Sequence, residues 1–154
     1  MPPTVILGLG NPLRGDDGAG LLAMEALRTR SPRQDCRFVD GGTLSFPLTE
    51  VLGEAARLIV IDAARFDAPA GTVRVFVDEA MDDFVARHPC SSVHEVGLAE
   101  LLDMVRLLDA LPAPRALIGI RPRSVDWSPV PSPEVAAAIP RACEQARTLL
   151  AAWQ

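Results

Sequence analysis

The chain has 154 residues, nearly half of them hydrophobic and few of them aromatic, with no tyrosine. That length suits one domain over residues 1–154, with a core built from Leu, Val, Ile and Ala. A net charge of -5 argues against nucleic acid or an anionic membrane as partner, since both call for a basic face. Cys36, Cys90 and Cys143 are widely spaced and form no CxxC pair, which points to a reducing compartment without a disulfide framework. No signal-peptide pattern and no apolar run of spanning length is visible, so the expected location is the cytoplasm.

Thr4–Gly8 is a continuous apolar run closed by glycine, the pattern of a strand buried on both faces. A Gly- and Asp-rich stretch follows, and Leu21–Arg30 then reads as a first helix, ended before Pro32. Arg37–Asp40, with Cys36 as a candidate extension, reads as a second strand stopped by Gly41-Gly42. Ser45 can cap a helix running to about Leu52. Leu58–Ile61, closed by Asp62, is the clearest buried strand. Thr72–Val77 follows after too short a gap for a helical crossover. It is therefore expected to run antiparallel to its predecessor, at an edge that suits Arg74. The acids at 78–83 read as a solvated loop. Leu98, Leu101, Leu102, Val105 and Leu108 recur at helical spacing. Ala116–Ile120 is another buried strand, and 121–133 is a proline-rich loop. Ser132-Pro133 opens a last helix, in which Pro140 must either kink the helix or mark its true start. The order predicts an α/β three-layer sandwich: a five-stranded, mostly parallel sheet with helices on both faces and one antiparallel edge strand.

Ligands of open α/β sheets bind beyond the carboxyl ends of the strands, where strand order reverses. In a flavodoxin-like order the first and third strands are neighbours there. Asp16 and Asp17 follow the first, and Asp62 ends the third. Each acid taken singly reads equally well as a turn or helix cap; the pair at adjacent strand tips is more telling. His94 precedes the amphipathic helix, where the helix dipole favours neutral imidazole; a polar residue at the helix start is the plain alternative. Asp17, Asp62 and His94 make an N,O donor set suited to Zn, Ni, Mn or Fe, with positions left open for water or substrate. His88, Cys90 and His94 form a rival cluster by proximity, with His88 in a loop. Gly8-Leu9-Gly10 has the start of a dinucleotide fingerprint, but Leu13 stands where its third glycine belongs, and Asp16-Asp17 where a pyrophosphate would sit. No HExxH and no GxSxG is present.

Four segments, in order, resemble the motifs of the NiFe-hydrogenase maturation endopeptidases: ILGLGNPLRGDDGAG at 6–20, DGGT at 40–43, IVIDA at 59–63 and SVHEVGL at 92–98. The resemblance implies an aspartyl-type endopeptidase that removes the C-terminal extension of a NiFe-hydrogenase large-subunit precursor after nickel insertion. It carries the metal positions over as Asp17, Asp62 and His94, choosing Asp17 over Asp16; some relatives have Glu there. It places Asp40, Gly41, Gly42 and Thr43 near the substrate. Nickel is expected to arrive with the precursor, with other divalent metals substituting in vitro, and the enzyme is expected to be a monomer. The metal either acts as Lewis acid, or is only recognised while Asp16 or Asp40 serves as general base. Two alternatives are a non-catalytic, nickel-dependent assembly factor and a nucleotide- or small-ligand-binding α/β module.

Overall fold

The computed structural model describes residues 2–42, 47–88 and 97–154. The expectations placed on Thr43, Ser45, Cys90 and His94 lie outside the described residues. Five strands form one sheet: β1 (Thr4–Leu9), β2 (Cys36–Gly42), β3 (Arg57–Ala63), β4 (Val73–Val77) and β5 (Arg115–Ile120), in the order β2-β1-β3-β5-β4. The first four in that order are mutually parallel. β4 closes the edge antiparallel to β5, with Val75 opposite Ile118. The expected edge strand is therefore present. It runs opposite to β3 as expected, but does not pair with it, because β5 lies between them.

Strand alternation sends every second side chain to the opposite face. Ile6, Ile59, Ile61, Ile118 and Ile120 pack beneath α1 (Ala19–Arg30) and α5 (Pro133–Ala152). Val5, Leu7, Leu58, Val60 and Leu117 pack against α2 (Leu48–Gly53), α3 (Glu79–Arg87) and α4 (Leu98–Leu107). These are the two apolar faces of a three-layer α/β/α sandwich. α5 begins at Ser132, whose hydroxyl accepts from the Val135 N–H, and it continues through Pro140. The proline therefore does not mark the start.

α3 corrects the reading of 78–83 as a solvated loop. Met81 and Val85 are buried, and Phe84 is half-buried. This i, i+3, i+4 stripe seats the helix on the core while Glu79 and Asp83 face water. Asp82 turns inward onto the buried Arg115, accepting its Nε–H at 3.0 Å and a second guanidinium bond. His88 accordingly stands at the end of a helix. Its ring stacks on Phe84 at 4.1 Å, and Nδ1 lies 2.8 Å from the Phe84 carbonyl. No helix among the described residues is long and apolar enough to cross a membrane.

Candidate active site

β1 sits between β2 and β3. The crossover helix α1 lies on one face of the sheet and α2 on the other. Opposite-face crossovers leave a crevice at the carboxyl ends of β1 and β3, the neighbours anticipated from the sequence. The chain leaves β1 through Gly10 at φ +114°, where an added Cβ would stand 1.8 Å from the Asp17 carbonyl oxygen. Only glycine accepts both that backbone and that contact. The loop thus folds back on itself, and Asp17 Oδ2 accepts the Asn11 N–H at 2.9 Å. A 3-10 turn over Gly15–Gly18 carries the chain into α1.

The first turn of α1 is pressed onto β3. A Cβ at Gly20 would lie 2.0 Å from the Ile61 carbonyl oxygen and 2.7 Å from Asp62 Cα. This contact brings the half-buried Asp17 and Asp62 together from segments far apart in sequence. Burial foremost, and then the negative charge of Asp17, push the Asp62 carboxyl up to about 8, against the opposing pull of the Ala63 N–H. Asp62 keeps some surface, yet the protein packed around its carboxyl is dense enough to penalise the charged form. Among the described residues no arginine forms an ion pair with either acid. Neither acid caps α1 through its side chain, because Gly18 occupies the cap without a side-chain bond.

Asp16 points the other way. It is 1% exposed. Its Oδ2 accepts the Arg123 N–H at 2.8 Å, the Ser124 N–H at 3.2 Å and the Ser132 hydroxyl at 2.8 Å. Its Oδ1 accepts the Ser132 N–H at 2.6 Å. Burial raises its pKa, but these donors together outweigh burial and hold the carboxyl below its ordinary value. A sealed carboxylate with both oxygens engaged cannot collect a proton from a water in the crevice, which corrects the expectation of Asp16 as a base. It fastens the loop after β1 to the segment leading into α5.

Asp40 is exposed at the tip of β2, its Oδ1 accepting the Gly42 N–H at 2.8 Å. The Gly42 carbonyl accepts the Gly10 N–H at 3.3 Å, so the Asp40-Gly41-Gly42 turn adjoins the first loop. Gly41 itself is buried, against Leu7 and Leu9. Asp17, Asp62 and Asp40 therefore lie at the same, carboxyl end of the parallel strands. Among the described residues no group of three or more His, Cys, Asp and Glu could hold a metal ion. The two carboxylates supply oxygen donors that suit a divalent cation, and a third donor must come from elsewhere. Asp17, in the turn that leads into α1, also disfavours the dinucleotide alternative, since a pyrophosphate would meet its carboxylate there.

The fold and crevice define a switch-point α/β enzyme with an acidic cleft. The sequence model of the HycI hydrogenase maturation protease family matches residues 22–148. A hydrogenase expression/formation protein, HupD of Rhizobium leguminosarum bv. viciae, is 32% identical over 154 residues, spanning 99% of this chain and 76% of that protein. The hydrogenase 2 maturation protease of Escherichia coli (strain K12) is 32% identical over 144 residues, 92% of this chain and 86% of that protein. Among solved structures, the maturating endopeptidase HybD from Escherichia coli superposes with a TM-score of 0.88 at 29% identity, covering 96% of this chain and 91% of that one. The maturation protease HybD from Thermococcus kodakarensis superposes at 0.75 and 29% identity, covering 96% and 98%. The chain belongs to the hydrogenase maturation protease family and is a protease.

Proposed function

We propose that the chain cuts the C-terminal extension from a NiFe-hydrogenase large-subunit precursor once nickel has been inserted, and reads that nickel with Asp17, Asp62 and His94. The supporting observation is the meeting of Asp17 and Asp62 at the β1–β3 switch point without an arginine partner among the described residues. Asp17 supplies negative charge there, and an arriving cation displaces the proton that burial keeps on Asp62 and takes both side chains as oxygen donors. His94 enters on the motif resemblance alone. Nickel carried in the substrate supplies Lewis acidity toward the scissile carbonyl. Asp40, exposed on the adjoining strand tip, is assigned as acceptor of the attacking water's proton, since Asp16 is occupied.

The test is cleavage of nickel-loaded precursor, followed on a gel as loss of the extension. Wild type should cut, and Asp17→Asn, Asp62→Asn and His94→Ala should each slow cleavage by about a hundredfold or more, the scale of losing a metal-orienting group. Equal cutting by all three variants refutes the site. Binding of nickel-loaded precursor without any cutting would favour the assembly-factor reading.

A further inference from the structure

Beside the cleft the surface carries apolar side chains that the core does not use. Leu13, Trp127 and Val130 are 62%, 74% and 63% exposed. They come from distant segments, yet the backbone locks them into one patch. The Ser128 N–H donates to the Leu13 carbonyl and the Gly15 N–H to the Ser128 carbonyl, each at 2.9 Å. The Ser128 hydroxyl donates to the Val130 carbonyl at 2.9 Å. Arg14 lies over the Trp127 ring, 5.6 Å from its centroid, and its Nε–H donates to the Val125 carbonyl at 3.2 Å. Scattered exposed hydrophobics are ordinary, whereas a rigidly held cluster marks an interaction site. Trp and Arg are also the residue types that most often dominate interface energies.

The patch is continuous with the cleft. Leu13 lies four residues before Asp17 on the same loop. The Asp16 bonds to Arg123 and Ser124 tie the other half of the patch to that loop. A polypeptide that lays its scissile bond against Asp17 and Asp62 has its body beside this rim. Charge adds a second constraint. The chain carries a net charge of -5, but Arg14 and Arg123 fringe the patch, and among the described residues the Arg123 guanidinium has one ion-pair partner, Glu134, at 3.6 Å. The complementary face is apolar at its centre and acidic at its edge.

We propose that Leu13, Trp127 and Val130, edged by Arg14 and Arg123, are the docking face for the folded body of the large-subunit precursor, separate from the cleft that handles its tail. The inference rests on the substrate reading above. One consequence is that choice among hydrogenases is set at this rim, where exposed side chains can differ without disturbing the core.

The experiment compares wild type with Trp127→Ser and with Leu13→Ser/Val130→Ser, using nickel-loaded full-length precursor. Steady-state cleavage and calorimetric binding are both measured. The control is Leu107→Ser/Leu108→Ser, a second exposed pair at the end of α4. That end leads to the start of β5 and so lies at the amino ends of the parallel strands, opposite the cleft. Rim variants should raise KM and Kd by about tenfold or more, the scale of losing an interface anchor, with kcat and melting temperature near wild type and the control unchanged. Equal KM and Kd for wild type and Trp127→Ser overturns the proposal. So does a Trp127-dependent dimer of the chain whose precursor binding is unaltered, because the occupant is then a second copy. If wild type does not cut, the substrate reading fails on its own, and the rim is judged on Kd: Trp127-dependent binding supports it, and absence of binding overturns it.

Discussion

Replacing Asp16 by asparagine separates a structural carboxylate from a catalytic one. The substitution preserves shape but turns one acceptor oxygen into a donor. With the amide nitrogen at the Oδ1 position, it confronts the Ser132 N–H, now 2.6 Å from that oxygen. One bond is lost and a buried N–H is left unpaired, at a cost of about 1–3 kcal/mol. The three bonds to Oδ2 persist without charge assistance, which removes roughly half the strength of each. Relief of carboxylate desolvation offsets part of this. The net destabilisation is about 2–4 kcal/mol, a large share of the 5–15 kcal/mol typical of a domain. The assay is urea unfolding at neutral and acid pH. The midpoint should fall with an unchanged slope. The folded carboxyl titrates below its ordinary value of 3.8. Its contribution is therefore present above that value and lost as pH falls through the folded pKa. The gap between wild type and variant should accordingly narrow on acidification. A variant with wild-type stability but no cleavage would refute this reasoning and restore Asp16 as a base.

Two further outcomes are expected. Asp82→Ala removes the one carboxylate that forms an ion pair with the buried Arg115 guanidinium among the described residues, leaving it the Pro112 carbonyl and the weaker pull of Asp78 and Glu79, and should cost about 3–5 kcal/mol in unfolding free energy; a melting temperature within a degree or two of wild type would contradict it. Burial and the Asp17 charge raise the Asp62 carboxyl from 3.8 to about 8. Between those values the unfolded chain has released a proton that the folded chain keeps, so wild-type stability should decline as pH rises across the window. Asp62→Asn should abolish that decline. Thermal unfolding with chelator present measures it, and matching pH slopes for the two proteins would show that the Asp62 carboxyl is not held protonated in the folded chain.

The buried strands β1, β3 and β5 were legible as continuous apolar runs, and α4 as an apolar stripe at helical period. The antiparallel edge strand followed from the short gap after Asp62. Asp17 and Asp62 were visible as candidates because an apolar run announces its own end, and in this sheet order those ends converge. The helix α3 was concealed by its acids. Its Met81, Phe84 and Val85 spacing was the signal available, outweighed by the charge run around it.

What the sequence determined unaided was periodicity: which stretches are buried on both faces, which on one, and where each stops. That information is local, because strand and helix repeats are read over a few residues. Only the tertiary structure decided that β5 separates β3 from β4, that Asp16 faces inward while its neighbour Asp17 faces Asp62, and that Leu13 and Trp127 share a surface. Those outcomes depend on contacts between residues some hundred positions apart, such as Asp16 with Ser132. Adjacent aspartates carry the same chemistry in sequence, and the donors packed against each one separate a structural anchor from a candidate ligand.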